Sequence, residues 1–435
     1  MKCNIFKIIM VVILFLPWMV YGNDVNSNIL TLDQAVKLTL KNNLLIKKIN
    51  EDVMAANTGI KIAESSYFPI VNGEVSYNYM GPSQDINLGP GMNFSLFPEN
   101  NYNFQISAVY TLYEFGKRKK MVELAKLKAE ESQTSLNQIK INLAYQTIEV
   151  FYSVLFLQKQ LDVLNEQIHD LKRHLDFVTQ RKLTGSATPY DVLNTKVRLA
   201  QVKSKLIDIQ NSYKKQKIAL ELLTGMKFNT LSKVIGNFDD SKIEIDIQSL
   251  LVKALKNRPE VRQAFLSANI ADLNTQIASL KNMPTISTYV LYGFKNGLLP
   301  DVDNISSHWS VGIKMDVPIF NETNKTQKMV IDKNYSAAQQ NINYIKSLIK
   351  SQIEQAVNDL KAREAQIESS QIRLNQAKEL LKIAKIKYSI GLITNLEYLD
   401  TQTSVKQAKL SYLSALYNYV LSKYRLKKTV GDVLW

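Results

Sequence analysis

Cysteine is almost absent from this 435-residue chain: the single one, Cys3, lies at the very start. With no second thiol there is no disulfide framework and no cysteine-ligated metal site. Histidine is scarce too, with His169, His174 and His308 the only three. Neither a phosphate-cradling glycine loop nor a Gly-x-Ser-x-Gly elbow occurs. The chain therefore reads as no enzyme, with no cofactor and no metal. Glycine and proline number 15 and 10, roughly half their ordinary share, so long regular elements must fill the chain. Long hydrophobic runs are missing as well. The nine apolar residues from Ile8 to Leu16 fall short of the about 20 that a membrane-crossing helix needs.

That short run sits between Lys2 and Lys7 on one side and Val20-Tyr21-Gly22 on the other, a pattern that predicts a secretory signal peptide over 1–22. Cys3 leaves with it, and no cysteine follows the cleavage site to accept lipid. Basic residues exceed acidic ones, 54 to 39. They are scattered along helical segments rather than massed, which describes a solvated surface and not a nucleic-acid partner.

Seven of the ten prolines fall in two windows, roughly 67–118 and 283–324. After each window, Lys117 to Thr184 and Asn324 to Ile390 contain neither proline nor glycine, each enough for a helix of about 100 Å. Their apolar residues alternate spacings of three and four, with one gap at Thr147 in the first and less cleanly in the second. In the first, Leu136, Ile139, Leu143, Val150, Val154, Leu157, Leu161, Leu164, Ile168, Leu171, Leu175 and Val178 make a sustained coiled-coil seam. The proline-rich windows have period two instead. Phe104, Ile106, Ala108, Tyr110 and Leu112, and later Trp309, Val311, Ile313, Met315 and Val317, alternate with mostly polar residues, predicting strands of about ten residues. Such strands suit a transmembrane β-barrel or a pair of soluble hairpins packed on a helix.

The chain is a tandem duplication. Pro69 and Tyr77 recur as Pro284 and Tyr292, while Gly185, Thr188, Leu193 and Gly225 recur as Gly391, Thr394, Leu399 and Gly431. The first repeat spans 23–225, with a short helix over 31–66, a hairpin over 69–116, a long helix over 117–184 and a short helix over 189–223. A linker over 226–247 follows. The second repeat spans 248–435, with the corresponding elements at 248–281, 284–322, 324–390 and 395–428. Two short helices laid end to end match one long helix, so each half is an antiparallel coiled coil with a hairpin at one end and a turn at the other. Two hairpins give four strands, and a closed barrel needs about eight. Three chains would supply twelve.

Leu30-Thr31-Leu32-Asp33-Gln34-Ala35-Val36, Asn257-Arg258-Pro259-Glu260-Val261, Val317-Pro318-Ile319-Phe320 and the turns at 185–193 and 391–399 resemble the TolC outer-membrane channel family over nearly all of the chain. The resemblance implies a mainly α fold with β. Its duplicated coiled-coil helices would form a periplasmic tunnel, and its two hairpins would complete a trimeric 12-stranded outer-membrane barrel. It also implies a homotrimer in the outer membrane of a Gram-negative bacterium, in contact with outer-membrane lipid. The trimer would be the exit duct of a tripartite efflux pump or type I secretion system, opened at its periplasmic tip by an inner-membrane transporter and a membrane-fusion adaptor. The sequence departs from the pattern where the first hairpin exit lacks proline and where Thr323 stands opposite Gly116. A periplasmic coiled-coil adaptor or scaffold is the alternative reading.

The turns have a complete structural explanation of their own. Gly185 and Gly391 suit helix C-termini, and Thr188 and Thr394 cap the next helices, with Asp191 and Glu397 three residues on. The resemblance adds that Gly185, Ser186, Ala187, Thr188, Gly391, Leu392, Ile393 and Thr394 form adaptor-docking tips. Glu397 and Asp400 share a helical face, and their spacing from Gly391 matches the acidic pair at the closed aperture of TolC-type channels. With Asp191 they are the aperture candidates. In a trimer, Glu397 and Asp400 would form a ring of carboxylates that stays closed only with partners offsetting their repulsion. Asp170 and His174 also share a face, and that pair reads as solvated rather than metal-binding.

Overall fold

The computed structural model describes residues 29–82, 85–87, 93–95, 98–227, 233–299 and 302–434. The expected signal peptide lies outside them. Each repeat begins with two helices in line. The first repeat opens with α1 (Leu32–Asn42) and α2 (Leu44–Ser65), preceded by the short strand β1 (Ile29–Leu30). Thr31 starts α1 through a capping box with Gln34. Asn43 then breaks the helix: its backbone leaves helical geometry, its side-chain oxygen accepts from the Leu45 amide at 2.9 Å, and its amide group donates to the Leu223 carbonyl at 3.0 Å.

The strands follow. β2 (Ile70–Tyr79) pairs with β5 (Asn100–Tyr113), and the intervening loop carries β3 (Asp85–Asn87) and β4 (Asn93–Ser95), which pair with each other. The long helix α3 (Lys117–Leu183) descends from the sheet, and α4 (Pro189–Thr224) climbs back beside it. The linker between the repeats carries β6 (Lys233–Val234), parallel to β1.

The second repeat follows with α5 (Ile247–Asn257), α6 (Pro259–Leu280), β7 (Thr285–Lys295), β8 (Ser306–Asp316), α7 (Glu322–Ser389) and α8 (Asn395–Val430). Here Arg258 breaks the opening helix, because the proline after it disfavours helical backbone. Its guanidinium is held by Glu260 at 3.1 and 3.2 Å and by Gln352 at 2.7 Å.

The ends of the two climbing helices dock on these two breaks. Gly225 ends α4 with φ 68°, and a Cβ there would stand 3.0 Å from the Asn42 Cβ. Gly431 ends α8 with φ 80°, where a Cβ would stand 3.1 Å from Arg258. Glycine is required at both places for handedness and for space.

The two hairpins join into one antiparallel sheet of order β2-β5-β7-β8, with β5 and β7 paired across the repeats. The register sorts the side chains onto two faces. Val71, Val75 and Tyr77 lie beside Ala108, Phe104 and Tyr102, and next to them come Val290, Phe294, Tyr292, Trp309, Val311, Ile313 and Met315. This face carries no charge. The other face carries the charge of these four strands, Glu74, Lys314 and Asp316 included, and Asn72, Gln105, Ser107, Ser287, His308 and Ser310 beside Ile70, Val109, Tyr289 and Leu291. An uncharged aromatic and aliphatic face backed by a polar one is the pattern of a sheet between lipid and water.

The seam of α3 is buried at Leu136, Leu143, Val154, Leu164, Leu171 and Val178, and a second stripe at Ile148, Phe151 and Leu155 is buried as well. That second stripe exists because Leu30, Val36, Val234 and Val420 pack on it at mid-height. There the linker is fastened to α8. The Lys423 ammonium donates to the Asp239 carboxylate at 2.7 Å and to the Ser241 carbonyl and hydroxyl at 3.0 Å each, while the Tyr419 hydroxyl donates to the same carbonyl at 2.9 Å. Lys423, followed by the Ser241 amide and hydroxyl, holds the Asp239 carboxyl down at about 2.

Candidate functional site

Far from the sheet, the turn between α3 and α4 lies against the turn between α7 and α8. The two turns are built alike. Gly185 and Gly391 have φ 76° and 77°, and the amides that follow them reach back to the Arg181 and Lys387 carbonyls, both at 2.8 Å. These contacts satisfy the last carbonyls of each descending helix. Ser186 and Leu392 occupy the exposed apices, with Ala187 and Ile393 half-buried behind them. Thr188 and Thr394 then start the climbing helices through reciprocal capping boxes. Asp191 accepts from the Thr188 amide at 2.9 Å and hydroxyl at 2.7 Å, and Glu397 accepts from the Thr394 amide at 2.7 Å and hydroxyl at 2.8 Å. The Thr394 amide, then its hydroxyl, keeps the Glu397 carboxyl below its ordinary range. Glu397 is therefore ionised and tied to its own helix.

Asp400 is tied elsewhere. Its carboxylate pairs with the Arg198 guanidinium on α4, so the acid of the second repeat is neutralised by a base of the first. Arg198 thus offsets the charge of Asp400 within the protomer.

Between the two coils lies a buried polar hub. The Asn395 carbonyl oxygen meets His174 Nε2 at 2.7 Å and accepts from the Tyr388 hydroxyl at 3.2 Å. Its amide group donates to the Asp191 carbonyl at 3.2 Å and to the Thr195 hydroxyl at 3.4 Å. Aromatic rings close around it. Tyr388 and Tyr398 stack at 4.9 Å, His174 lies 4.9 Å from Tyr398, and the Arg181 guanidinium lies over Phe177 and Tyr388. Burial lowers the His174 pKa, the Asn395 contact opposing it, so the ring is neutral and donates to Asn395. His174 is thus not a solvated partner of Asp170, as its spacing suggests. It is 7% exposed, because α8 covers it.

Asp170 turns to Lys406 of α8 at 3.0 Å, and Glu166 meets Lys406 at 3.0 Å and Lys409 at 2.7 Å. Lys409 leads in lowering the Glu166 pKa. Burial opposes ionisation of Asp170, but Lys406 and Arg173 hold its pKa low. The structure therefore brings Asp191, Glu397, Asp400 and both apices to one end of the molecule. Arg198, His174, Asn395, Tyr388 and Tyr398 complete the site, and of these the sequence singles out only His174, and that as a solvated neighbour of Asp170. Among the described residues no helix is long and apolar enough to cross a membrane.

Known proteins match this architecture along its length. The family model described as outer membrane efflux protein matches residues 35–226 and 250–432, one stretch in each repeat. The chain is similar to outer membrane protein TolC of Vibrio cholerae, 21% identical over 391 residues that cover 87% of this chain and 85% of that one. It is also similar to cation efflux system protein CusC of Escherichia coli, 21% identical over 397 residues covering 90% and 84%. Among solved structures, a CusC structure superposes with TM-score 0.78 at 19% identity, covering 92% of both chains. The Campylobacter jejuni CmeC outer membrane channel does so with TM-score 0.78 at 19% identity, covering 92% of this chain and 85% of the other. With matching stretches in both repeats, joined by the same fold, the chain belongs to the outer membrane efflux protein family and is an outer-membrane protein of the Gram-negative envelope.

Proposed function

We propose that three copies of this chain close into the exit duct of a tripartite efflux pump or type I secretion system. The observation that carries the trimer is where exposed apolar side chains lie on the helices. They concentrate on α2 and α4, with Leu44, Leu45, Met54, Ile62, Val197, Ile207, Ile218 and Leu222, and on α7, with Met329, Val330, Tyr344, Leu348, Ile372, Leu380, Ile383 and Ile386. The central helices α3, α6 and α8 expose far fewer. The protomer thus has an apolar strip along each of two edges, and the sheet likewise ends in β2 on one side and β8 on the other. Different edges meeting in a ring form a heterologous closed assembly. With four strands per copy, three copies reach twelve.

In this reading the uncharged face of the sheet meets outer-membrane lipid and the helices continue as a periplasmic tunnel. Gly185 to Thr188 and Gly391 to Thr394 receive a periplasmic adaptor. Asp191, Glu397 and Asp400 surround the aperture, which an inner-membrane transporter and its adaptor open by parting the two coils at the Asn395 hub. The test is the native mass of protein extracted in detergent from washed outer membranes, corrected for bound detergent. A trimer is expected. A monomer in the periplasmic soluble fraction overturns the duct and leaves a coiled-coil scaffold.

A further inference from the structure

The junction between β5 and α3 carries a run of positive charge that the helix it starts does not favour. The first turn of α3 holds Lys117, Arg118, Lys119 and Lys120 with no acidic residue, and its cap, Gly116, makes no side-chain hydrogen bond. Cations there oppose the helix dipole. The corresponding start of α7 obeys the rule: Asn321 caps it by accepting from the Asn324 amide at 3.0 Å, and Glu322 sits in the first turn.

Of the four, Arg118 is the one tied into the junction itself. It pairs with Glu114 at 2.8 Å, donates to the Ser66 carbonyl at 3.3 Å, and lies 5.0 Å from the Tyr67 ring centre and 5.6 Å from that of Tyr110. Tyr110 shares the uncharged face of the sheet, in register through Ala108 and Ile106, so Tyr67 stands on the lipid side of the junction. Beside Tyr67 a groove of 620 Å³ opens between α2 and α3, lined by Lys119, Lys120 and Lys126 with Glu64 and Glu123. Lys120 reaches Glu123 only at 3.5 Å. At the same level the chain leaving β8 presents Ile319 and Phe320, 95% and 84% exposed, as apolar residues do where a membrane surface meets them.

We infer that this groove is a docking site for the anionic phospholipid headgroups of the periplasmic leaflet. Lys119, Lys120 and Lys126 hold the phosphate, and Tyr67 lies at the glycerol level above it. Charge complementarity and continuity with the lipid-facing sheet select this occupant, since basic clusters just outside the hydrocarbon attract anionic headgroups. The inference rests on the outer-membrane barrel reading.

Native mass spectrometry of the full-length protein tests it, in mixed micelles of phosphatidylglycerol and phosphatidylcholine with identical acyl chains. Each basic side chain near an anionic surface is worth about fivefold in binding. Phosphatidylglycerol is therefore expected to be retained at least about tenfold over phosphatidylcholine. The combined Lys119→Gln, Lys120→Gln and Lys126→Gln variant should lose that preference. The corresponding arginine variants should keep it, as should Lys325→Gln with Lys328→Gln on α7. Equal retention of the two lipids by a membrane-inserted protein overturns the inference alone. So does displacement of phosphatidylglycerol by excess inorganic phosphate, or preference for lipid A of the opposite leaflet. Wild-type protein that fails to sediment with outer membranes overturns the barrel and this inference together.

Discussion

Arg198 on α4 and Asp400 on α8 form an ion pair that fastens the tip of the first repeat to the tip of the second. It is half exposed, so it holds about 0.2–1 kcal/mol. That is a factor of about 1.4 to 5 in the equilibrium between closed and parted coils. Arg198→Ala is expected to raise open probability in planar-bilayer recordings by such a factor, and the difference should shrink at high salt. Asp400→Ala should do the same, and the double variant should do no more than either single one. Open probability unchanged in all three would remove these tips from gating.

The hub beside that pair makes the tip sensitive to acid. Burial depresses the His174 pKa below its ordinary 6.5, so below that pH the parted coils take up a proton that the closed coils refuse. Closed-tip stability is then full above about pH 6.5 and falls as pH drops toward the depressed value. Glu166 and Asp170 add nothing in that window, because their lowered pKa values cost stability only below the ordinary carboxylate range. Hydrogen exchange of amides in 385–400, corrected for intrinsic rates, is expected to quicken between pH 7 and 5.5 in the wild type. His174→Gln should exchange at one rate across that interval. Asn395→Ala leaves the Tyr388 hydroxyl and His174 without their acceptor, at about 1–3 kcal/mol for each buried group. It should therefore exchange faster at both pH values. A wild type indifferent to pH would mean that His174 charges without parting the coils.

The hub also marks where sequence reasoning stops. Helix length, the strand alternation and both turns are legible because each follows from local chemistry: stretches without proline or glycine, period two, glycine followed by a capping threonine. The ties between repeats depend on which helices become neighbours. No spacing brings Asn395 to His174 or Arg198 to Asp400, and the i,i+4 relation of Asp170 and His174 points the wrong way. The second buried stripe of α3 at Ile148, Phe151 and Leu155 is likewise a product of β1, α1, the linker strand and α8 packing on it. The helix break at Arg258 had a local signal in the proline that follows. The break at Asn43 had a weaker one, a capping residue inside an unbroken apolar pattern.

The two faces of the sheet predict opposite responses to charge at adjacent positions. Val311 lies mid-strand beside Val290 on the uncharged face, whereas Ser310 beside Leu291 points to the polar one. A lysine on the lipid side at mid-depth costs about 2–4 kcal/mol, so Val311→Lys should sharply reduce folded protein in outer-membrane fractions. Ser310→Lys should insert normally and shift ion selectivity toward anions. Equal tolerance of both would mean that the sheet does not face lipid.

The glycines of the duplicated chain separate handedness from space. Gly391 and Gly225 both have positive φ, but a Cβ at Gly391 meets nothing within 4 Å while one at Gly225 meets Asn42 at 3.0 Å. Alanine in the left-handed region costs about 1–2 kcal/mol on its own. Gly391→Ala should lose that much, confined to the tip and visible as faster exchange of the amides after Tyr388. Gly225→Ala must in addition push α4 away from the break between α1 and α2, against a core held by Asn43 and Leu223. Its loss should be larger and should appear as a lower melting temperature of the whole protomer. Gly431→Ala should reproduce that loss in the second repeat, because Arg258 stands 3.1 Å from its Cβ position. If Gly391→Ala proved the most damaging of the three, the tip and not the equator would carry the stability of the coiled coils.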